Sequence, residues 1–279
     1  MNEYVYRLTD SEEEMIERLA TQLSDRIFQI DDIIPQAAIA VFACYRPILS
    51  LNGYELLEKH KLATGDQTFS RLITLQGRHA VTEQRLKSNI SSIGTSTDDI
   101  SLKVRDQYEH SPYPRWFRVS QQKSRPLLAV LWDKFPKSMH AGVVISDAPK
   151  IMIAGCGTGL LAIETAMRYR NASITALDLS LNSLAYAKRK SLELNVDQVR
   201  WVSGDILALK GSDTQFDMID CSGVLHHTKN PYEAFRILLK TLKKDGFIIV
   251  GLYNRIARIR TLLRRIIYKM LGKKIIMFL

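Results

Sequence analysis

Gly155, Gly157 and Gly159 stand in the segment 151–160, IMIAGCGTGL, between an apolar run and a stretch of helical spacing. Glycine permits tight turns and lets a main chain come close to a ligand. A helix starting after Gly159 also offers N–H groups that have no partner within the helix. The spacing is G-x-G-x-G. A dinucleotide fingerprint needs glycine at position 160, where Leu160 stands, so a cofactor without a pyrophosphate is favoured. A plain glycine-rich turn is the alternative. Cys156, inside the loop, is counted with the candidate site.

Asp178 ends the next apolar run, ITALD, 23 residues after Gly155. A carboxylate there can accept both ribose hydroxyls of an adenosine, with Leu179 beside it. The competing role is a helix N-cap, which Ser180 could fill instead. Asp205 follows a third run, in SGDIL. It could accept from an adenine amino group while the N–H of Ile206 bonds a ring nitrogen; a turn-forming Gly-Asp pair is the plainer reading. In 216–227, FDMIDCSGVLHH, the small residues Cys221, Ser222 and Gly223 leave room for a methionine-like chain and a substrate. His226 and His227 invite a general-base reading, His226 being counted as a candidate catalytic group, because histidine as a residue type titrates near neutral pH; the plainer reading is of loop histidines that pack or bond backbone. Asn230 and Pro231 read as an N-cap and first helical residue.

These residues need strand ends to hold them. From 150 onward short apolar strands alternate with helices: strands at 150–154, 173–177, 199–203, 216–221 and 247–253, and helices at 160–170, 182–194 and 231–242. That alternation predicts a parallel sheet covered on both faces, with right-handed crossovers. Ligands in such sheets bind beyond the carboxyl ends of the strands, where strand order reverses.

Upstream, residues 11–100 read as mostly helical, with apolar periodicity in 15–23 and 37–51 and further helices at 54–62 and 68–85. Residues 91–99 form a polar break. Residues 106–116, DQYEHSPYPRW, read as a stiff extended segment because of Pro112 and Pro114. Tyr108, Tyr113, Arg115 and Trp116 could fold over a cofactor as a lid, Tyr113 being a candidate catalytic group, or could serve only to pack. A helical patch follows at 126–133. The expected division is a helical region 1–100, a lid or linker 101–147, and a cofactor-binding domain 148–279.

The four elements together resemble the class I S-adenosylmethionine-dependent methyltransferases over about 145–253. That resemblance implies a Rossmann-like fold, S-adenosylmethionine as cofactor, and the roles given above for Asp178 and Asp205. The segments NEYVYRLTDSEE, YRPILSL, QYEHSPYPRW and DCSGVLHHTKNP are similar to bacterial methyltransferases that often carry tetratricopeptide repeats in front. That family has Glu-Asn where His110 and Ser111 stand, and Glu where Asp220 stands. No such repeats precede the match, so the expectation is a chain that begins inside the family's usual sequence.

Composition narrows the remaining classes. The hydrophobic share of 46% and charged share of 24% are those of an ordinary globular protein. Cys44, Cys156 and Cys221 form no C-x-x-C pair, so neither a metal knuckle nor a disulfide framework is indicated, and a reducing cytoplasmic setting is expected. The acidic start carries no secretory h-region. The net charge of +10 is concentrated in the tail: Arg255, Arg258, Arg260, Arg264, Arg265, Lys269, Lys273 and Lys274 lie beyond the last acidic residue. Residues 254–271 can form a basic amphipathic helix whose charged face binds RNA or an anionic surface, or is simply solvated. Only eight residues follow it, so the closing β-hairpin of the wider fold is expected to be absent. The methyl acceptor is unidentified at this stage. The alternatives are a catalytically silent cofactor-binding scaffold and, less consistent with Leu160, a nicotinamide-dependent oxidoreductase.

Overall fold

Successive residues of a strand face opposite ways, and the strands after residue 149 carry apolar residues on both faces. A computed structural model of the chain describes residues 8–28, 36–57, 67–94, 99–110, 112–121, 123–135, 142–252, 259, 263 and 264. It divides into two compact units, Met1–Asn89 and Ile90–Leu279.

The second unit holds a six-stranded sheet: β1 (Ser91–Ser92), β2 (Lys150–Ala154), β3 (Ser173–Asp178), β4 (Val199–Ser203), β5 (Phe216–Ser222) and β6 (Leu242–Gly251). The order is β1-β4-β3-β2-β5-β6, and every pairing is parallel. Strand order therefore reverses between β2 and β5. Ile151 and Ile153 of β2 enter one core with Ile174, Ala176 and Trp201; Met152 and Ala154 enter the other with Leu177, Val202 and Ile219. The first core is closed by helices Leu127–Trp132, Leu160–Arg168 and Leu181–Glu193, and the second by helix Pro231–Lys240 and the 3-10 turn Ile206–Leu209. This is the Rossmann-like arrangement expected from the alternation of elements.

The first unit is helical. Its leading helix, Asp10–Phe28, starts in a capping box: Thr9 N–H donates to Glu12 at 2.8 Å and Glu12 N–H to the Thr9 hydroxyl at 3.3 Å. Ile16, Leu23 and Ile27 then pack with Ile39, Phe42 and Ile48. The helix expected over 37–51 ends at Tyr45, because Pro47 has no N–H to continue it, and a 3-10 turn Ile48–Ser50 follows. The run Gln67–Lys87 is interrupted by a π-helical turn, Thr74–Arg78. There the Tyr54 phenol lies against Gly77, where a Cβ would sit 1.7 Å from the hydroxyl.

Two other expectations change. Residues 106–110 are helical, as the end of helix Asp99–His110. Pro112 constrains itself and its predecessor, and leaves the turn before them free to be helical. β6 begins at Leu242, earlier than expected, because Leu242 pairs with Phe216 before the register shifts at Phe216/Met218. The expectations of a basic helix over 254–271 and of no closing hairpin fall almost wholly outside the described residues. No helix among the described residues is long and apolar enough to cross a membrane.

From here the helices Asp99–His110, Leu160–Arg168, Leu181–Glu193 and Pro231–Lys240 are α1, α2, α3 and α4 of the second unit.

Candidate functional site

The loop between β2 and α2 turns at the carboxyl edge beside the strand reversal. Its three glycines all have positive φ, for different reasons. A Cβ on Gly155 would meet Val224 at 2.3 Å, and one on Gly159 would meet Ala187 at 2.4 Å and Trp201 at 2.8 Å. Gly159 is therefore a packing residue that lets α2 close on α3 and β4; it does not line the cavity. Gly157 is open, with nothing nearer than the Tyr113 carbonyl at 3.9 Å, and it does line the cavity.

Gly157 N–H donates to Asp178 Oδ2 at 2.7 Å, and Ser180 N–H donates to Asp178 Oδ1 at 2.9 Å. These bonds fix the carboxylate plane at the end of β3, and each oxygen keeps further lone pairs. Ser180, not Asp178, is the N-cap of α3, its hydroxyl accepting from Ser183 N–H at 3.0 Å. Burial raises the Asp178 pKa above the ordinary carboxylate range, the Ser180 and Gly157 N–H bonds oppose the rise, and the nearby charge of Glu109 adds to it. Burial, followed by the charge of Asp178, likewise pushes the Cys156 thiol well up, so it is no thiolate at neutral pH.

Asp205 follows β4 and is 4% exposed. Oδ1 accepts from Leu207 N–H at 2.9 Å, starting the 3-10 turn. Oδ2 is buried without a hydrogen-bond partner. The turn-forming role is real, yet it uses one oxygen and leaves an acceptor with a desolvation cost that a donor would remove.

Gly155, Cys156, Gly157, Asp178, Leu179, Asp205 and Ile206 all line one cavity of about 410 Å³. Cys221 does not. Pleat alternation sends its side chain into the core with Ile219, and burial, with the Asp220 charge, raises its thiol pKa to about 12. Ser222 and Gly223 reach the cavity instead. His226 is also absent from the lining, whereas His227 and Thr228 are part of it. Among the described residues, no group of three or more His, Cys, Asp or Glu side chains could hold a metal ion.

The opposite wall comes from α1 and the segment after it. Ser101, Val104 and Tyr108 recur at helical spacing on one face of α1 and line the cavity, with Tyr113 and Pro114 beyond them. The extended stretch is anchored. Trp116 Nε1 donates to the Thr158 carbonyl at 2.9 Å, the Thr158 hydroxyl donates to the Pro114 carbonyl at 2.5 Å, and the Tyr186 hydroxyl donates to the Trp116 carbonyl at 2.5 Å. The Arg115 guanidinium lies 5.8 Å from the centre of the Tyr186 ring and is not among the lining residues. The segment thus divides: Tyr108 and Tyr113 face the cavity, while Arg115 and Trp116 pack. The spacing of 101, 104 and 108 was the available sequence signal for this wall. Glu164 and Thr158 also line the cavity and carried no signal beyond lying on α2 and its loop.

Residues 151–246 match a family model described as a methyltransferase domain. An uncharacterized protein from a Synechococcus strain is 32% identical over 177 residues, which are 62% of this chain and 42% of that protein. A ubiquinone biosynthesis O-methyltransferase from Paracidovorax citrulli is 28% identical over 174 residues, 61% of this chain and 68% of that protein. The protein of the same name from Pseudomonas entomophila is 32% identical over 107 residues, 38% of this chain and 45% of that protein. The chain spans less than half the length of the first and third of these relatives. The matched segment runs from the glycine loop through both strand-end carboxylates into β6, and over that segment the chain is similar to methyltransferase domains.

Proposed function

We propose that the protein binds S-adenosylmethionine in this cavity and transfers its methyl group to an acceptor. The observation that carries the reading is Asp205: a buried carboxylate oxygen without a partner, in the same cavity as Asp178 and the open Gly157. The residues fit the cofactor. Asp178 would accept from the ribose hydroxyls, Asp205 Oδ2 from the adenine amino group, and the backbone of 155–157 would lie along the methionine portion. When bound, the cofactor supplies a methyl group made electrophilic by its sulfonium.

The protein's part is chiefly alignment and exclusion of water, because displacement at a methyl carbon is accelerated by holding the partners in line. Apolar lining residues Val104, Leu160, Leu161, Val224 and Ile206 provide the dry wall. Where an acceptor must lose a proton, His227 lies in the lining and replaces His226 as the candidate to receive it. A cytoplasmic setting is part of the same reading, on the ground that the three cysteines are widely spaced and form no C-x-x-C pair.

Titration calorimetry with S-adenosylhomocysteine tests the binding step, and we expect saturable one-site binding. Incubation of the full chain with methyl-labelled donor and fractionated cell extract tests transfer. Label appearing in a protein, RNA or small-molecule fraction supports the enzyme, whereas binding without any labelled product favours a silent scaffold. A protein that binds no S-adenosylhomocysteine overturns the reading.

A further inference from the structure

Helix α3 begins two residues after Asp178, and its first amides need acceptors. Ser183 N–H bonds the Ser180 hydroxyl and Leu184 N–H bonds the Ser180 carbonyl, both at 3.0 Å. The two earlier amides, of Leu181 and Asn182, have an acceptor brought from 72 and 73 residues away. Glu109 Oε1 accepts from Leu181 N–H, and Glu109 Oε2 accepts from Asn182 N–H at 3.2 Å. The Asn182 side-chain amide donates back to the Glu109 carbonyl at 2.5 Å. A carboxylate at this end also meets the positive pole of the helix.

Glu109 lies on α1, next to Tyr108, and α1 also supplies Ser101 and Val104 to the cavity. The chain on either side of α1 is tied down. Ser91 and Ser92 pair with β4, and Ile93 N–H donates to the Ser203 carbonyl at 3.0 Å. After α1, Trp116 is held by Thr158 and Tyr186. The helix therefore spans the cavity between two anchors, and Glu109 ties it to the strand–helix turn that carries Asp178. The arrangement brings Glu109 close enough to Asp178 for its charge to be felt there. The α3 amides offset that repulsion.

We propose that Glu109 is a positioning residue that latches α1 over the cavity and thereby sets how fast the cofactor leaves. This rests on the cofactor reading above. Departure from under α1 requires the helix to lift, and lifting it strips the Leu181 and Asn182 amides of their acceptor. Hydrogen bonds to a charged acceptor are among the stronger ones in proteins, enough to govern an exchange rate without taking part in the reaction.

The test is release of tritiated S-adenosylmethionine from the full chain, chased with excess unlabelled S-adenosylhomocysteine. Glu109→Ala is expected to speed release about tenfold. Glu109→Gln keeps an accepting oxygen without the charge and should fall between the two. Asn230→Ala is the control: it removes the side-chain cap of α4, where Asn230 accepts from Glu233 N–H at 3.1 Å, and does not touch α1 or the cavity lining. It should lower the urea midpoint as Glu109→Ala does, while keeping release within about twofold of wild type. The latch is overturned if both Glu109 variants release at the wild-type rate, or if Asn230→Ala speeds release as much as Glu109→Ala. Should Glu109→Ala not fold, Glu109→Gln against Asn230→Ala decides. A wild-type chain that holds no donor overturns the cofactor reading and the latch together, so the two failures are distinguishable.

Discussion

The cavity has a floor and a roof, and different kinds of constraint build them. The floor is made of strand ends: Gly155 and Gly157 after β2, Asp178 at the end of β3, Asp205 after β4 and Gly223 after β5. Each is fixed by its own strand–turn–helix geometry and by short-range bonds such as Gly157 N–H to Asp178. The roof comes from 101–110 and 112–116 and is fixed by a few bonds to residues 42 to 73 positions away, at Thr158, Tyr186, Leu181 and Asn182. The floor presents carboxylates; the roof presents mostly apolar and phenolic surface. Polar recognition thus belongs to the sheet edge, and enclosure to the segment laid across it.

The sharpest break of this division comes within the glycine loop, where stability and binding separate. Gly159→Ala places a methyl 2.4 Å from Ala187 and 2.8 Å from Trp201 at a φ of 80°. Overpacking and left-handed strain together should cost about 3 kcal/mol of folding stability, read by urea denaturation. Gly157→Ala meets no such wall and should cost about 1 kcal/mol from strain alone, while weakening S-adenosylhomocysteine binding because its methyl enters the cavity. If the two substitutions destabilise equally, the assignment of Gly159 to packing and Gly157 to the ligand fails.

Next in size is Asp178. Its replacement by Ala should weaken S-adenosylhomocysteine binding by about 1–3 kcal/mol. The pH dependence sharpens the point. Because burial raises the Asp178 pKa, the carboxylate takes up a proton at a higher pH than an ordinary one. Ligand affinity should therefore fall on acidification through that raised pKa, and Asp178→Asn should remove this component. Stability of the ligand-free protein runs the other way. Between the ordinary and the raised pKa the folded state binds more protons than the unfolded state, so this group's contribution is present at low pH and is lost as pH rises through the folded value. Calorimetry and urea midpoints across pH should show the two opposite slopes.

The floor was legible in the sequence because its physics is local. A strand, a glycine turn and a helix within twenty residues leave a pattern, and the strand-end aspartates fall at a readable spacing. Cys221 was misplaced for a reason the same pattern contains: Ile219 and Cys221 share a face, and that face is the core. Gly159 was read as a ligand-facing glycine, although what it approaches is Ala187 and Trp201, residues that no local spacing brings near it. The roof was only half visible. Tyr108 and Tyr113 stood out as residue types, but Glu109 looked like any acidic residue on a helix. Its partners are the first amides of a helix more than seventy positions later, and a sequence pattern carries no trace of a backbone amide waiting for an acceptor.

The roof's anchor should matter less than the floor's carboxylates. Trp116→Phe keeps the ring against Tyr186 but removes the Nε1 donor from the buried Thr158 carbonyl. That loss should lower stability by about 1 kcal/mol and leave the intrinsic polar contacts of the floor in place. A loss of ligand affinity as large as that of Asp178→Ala would mean that the roof carries recognition as well as enclosure.

The smallest effect, and the most pointed test of the division, is at Tyr113. Its side chain is 65% exposed and still lines the cavity, so Tyr113→Phe should change stability by less than about 0.5 kcal/mol. If the roof only encloses, losing the hydroxyl should shift S-adenosylhomocysteine affinity less than about threefold, because the hydroxyl can trade any cofactor contact for water at little net cost. A loss approaching that of Asp178→Ala would assign the phenol a desolvated polar contact with the ligand. Measuring methyl transfer on the same variant separates the remaining role: unchanged affinity with a large fall in turnover would place the hydroxyl at the acceptor rather than at the cofactor. Unchanged affinity with unchanged turnover would leave Tyr113 as wall, and leave the carboxylates of the sheet edge as the groups that read the cofactor.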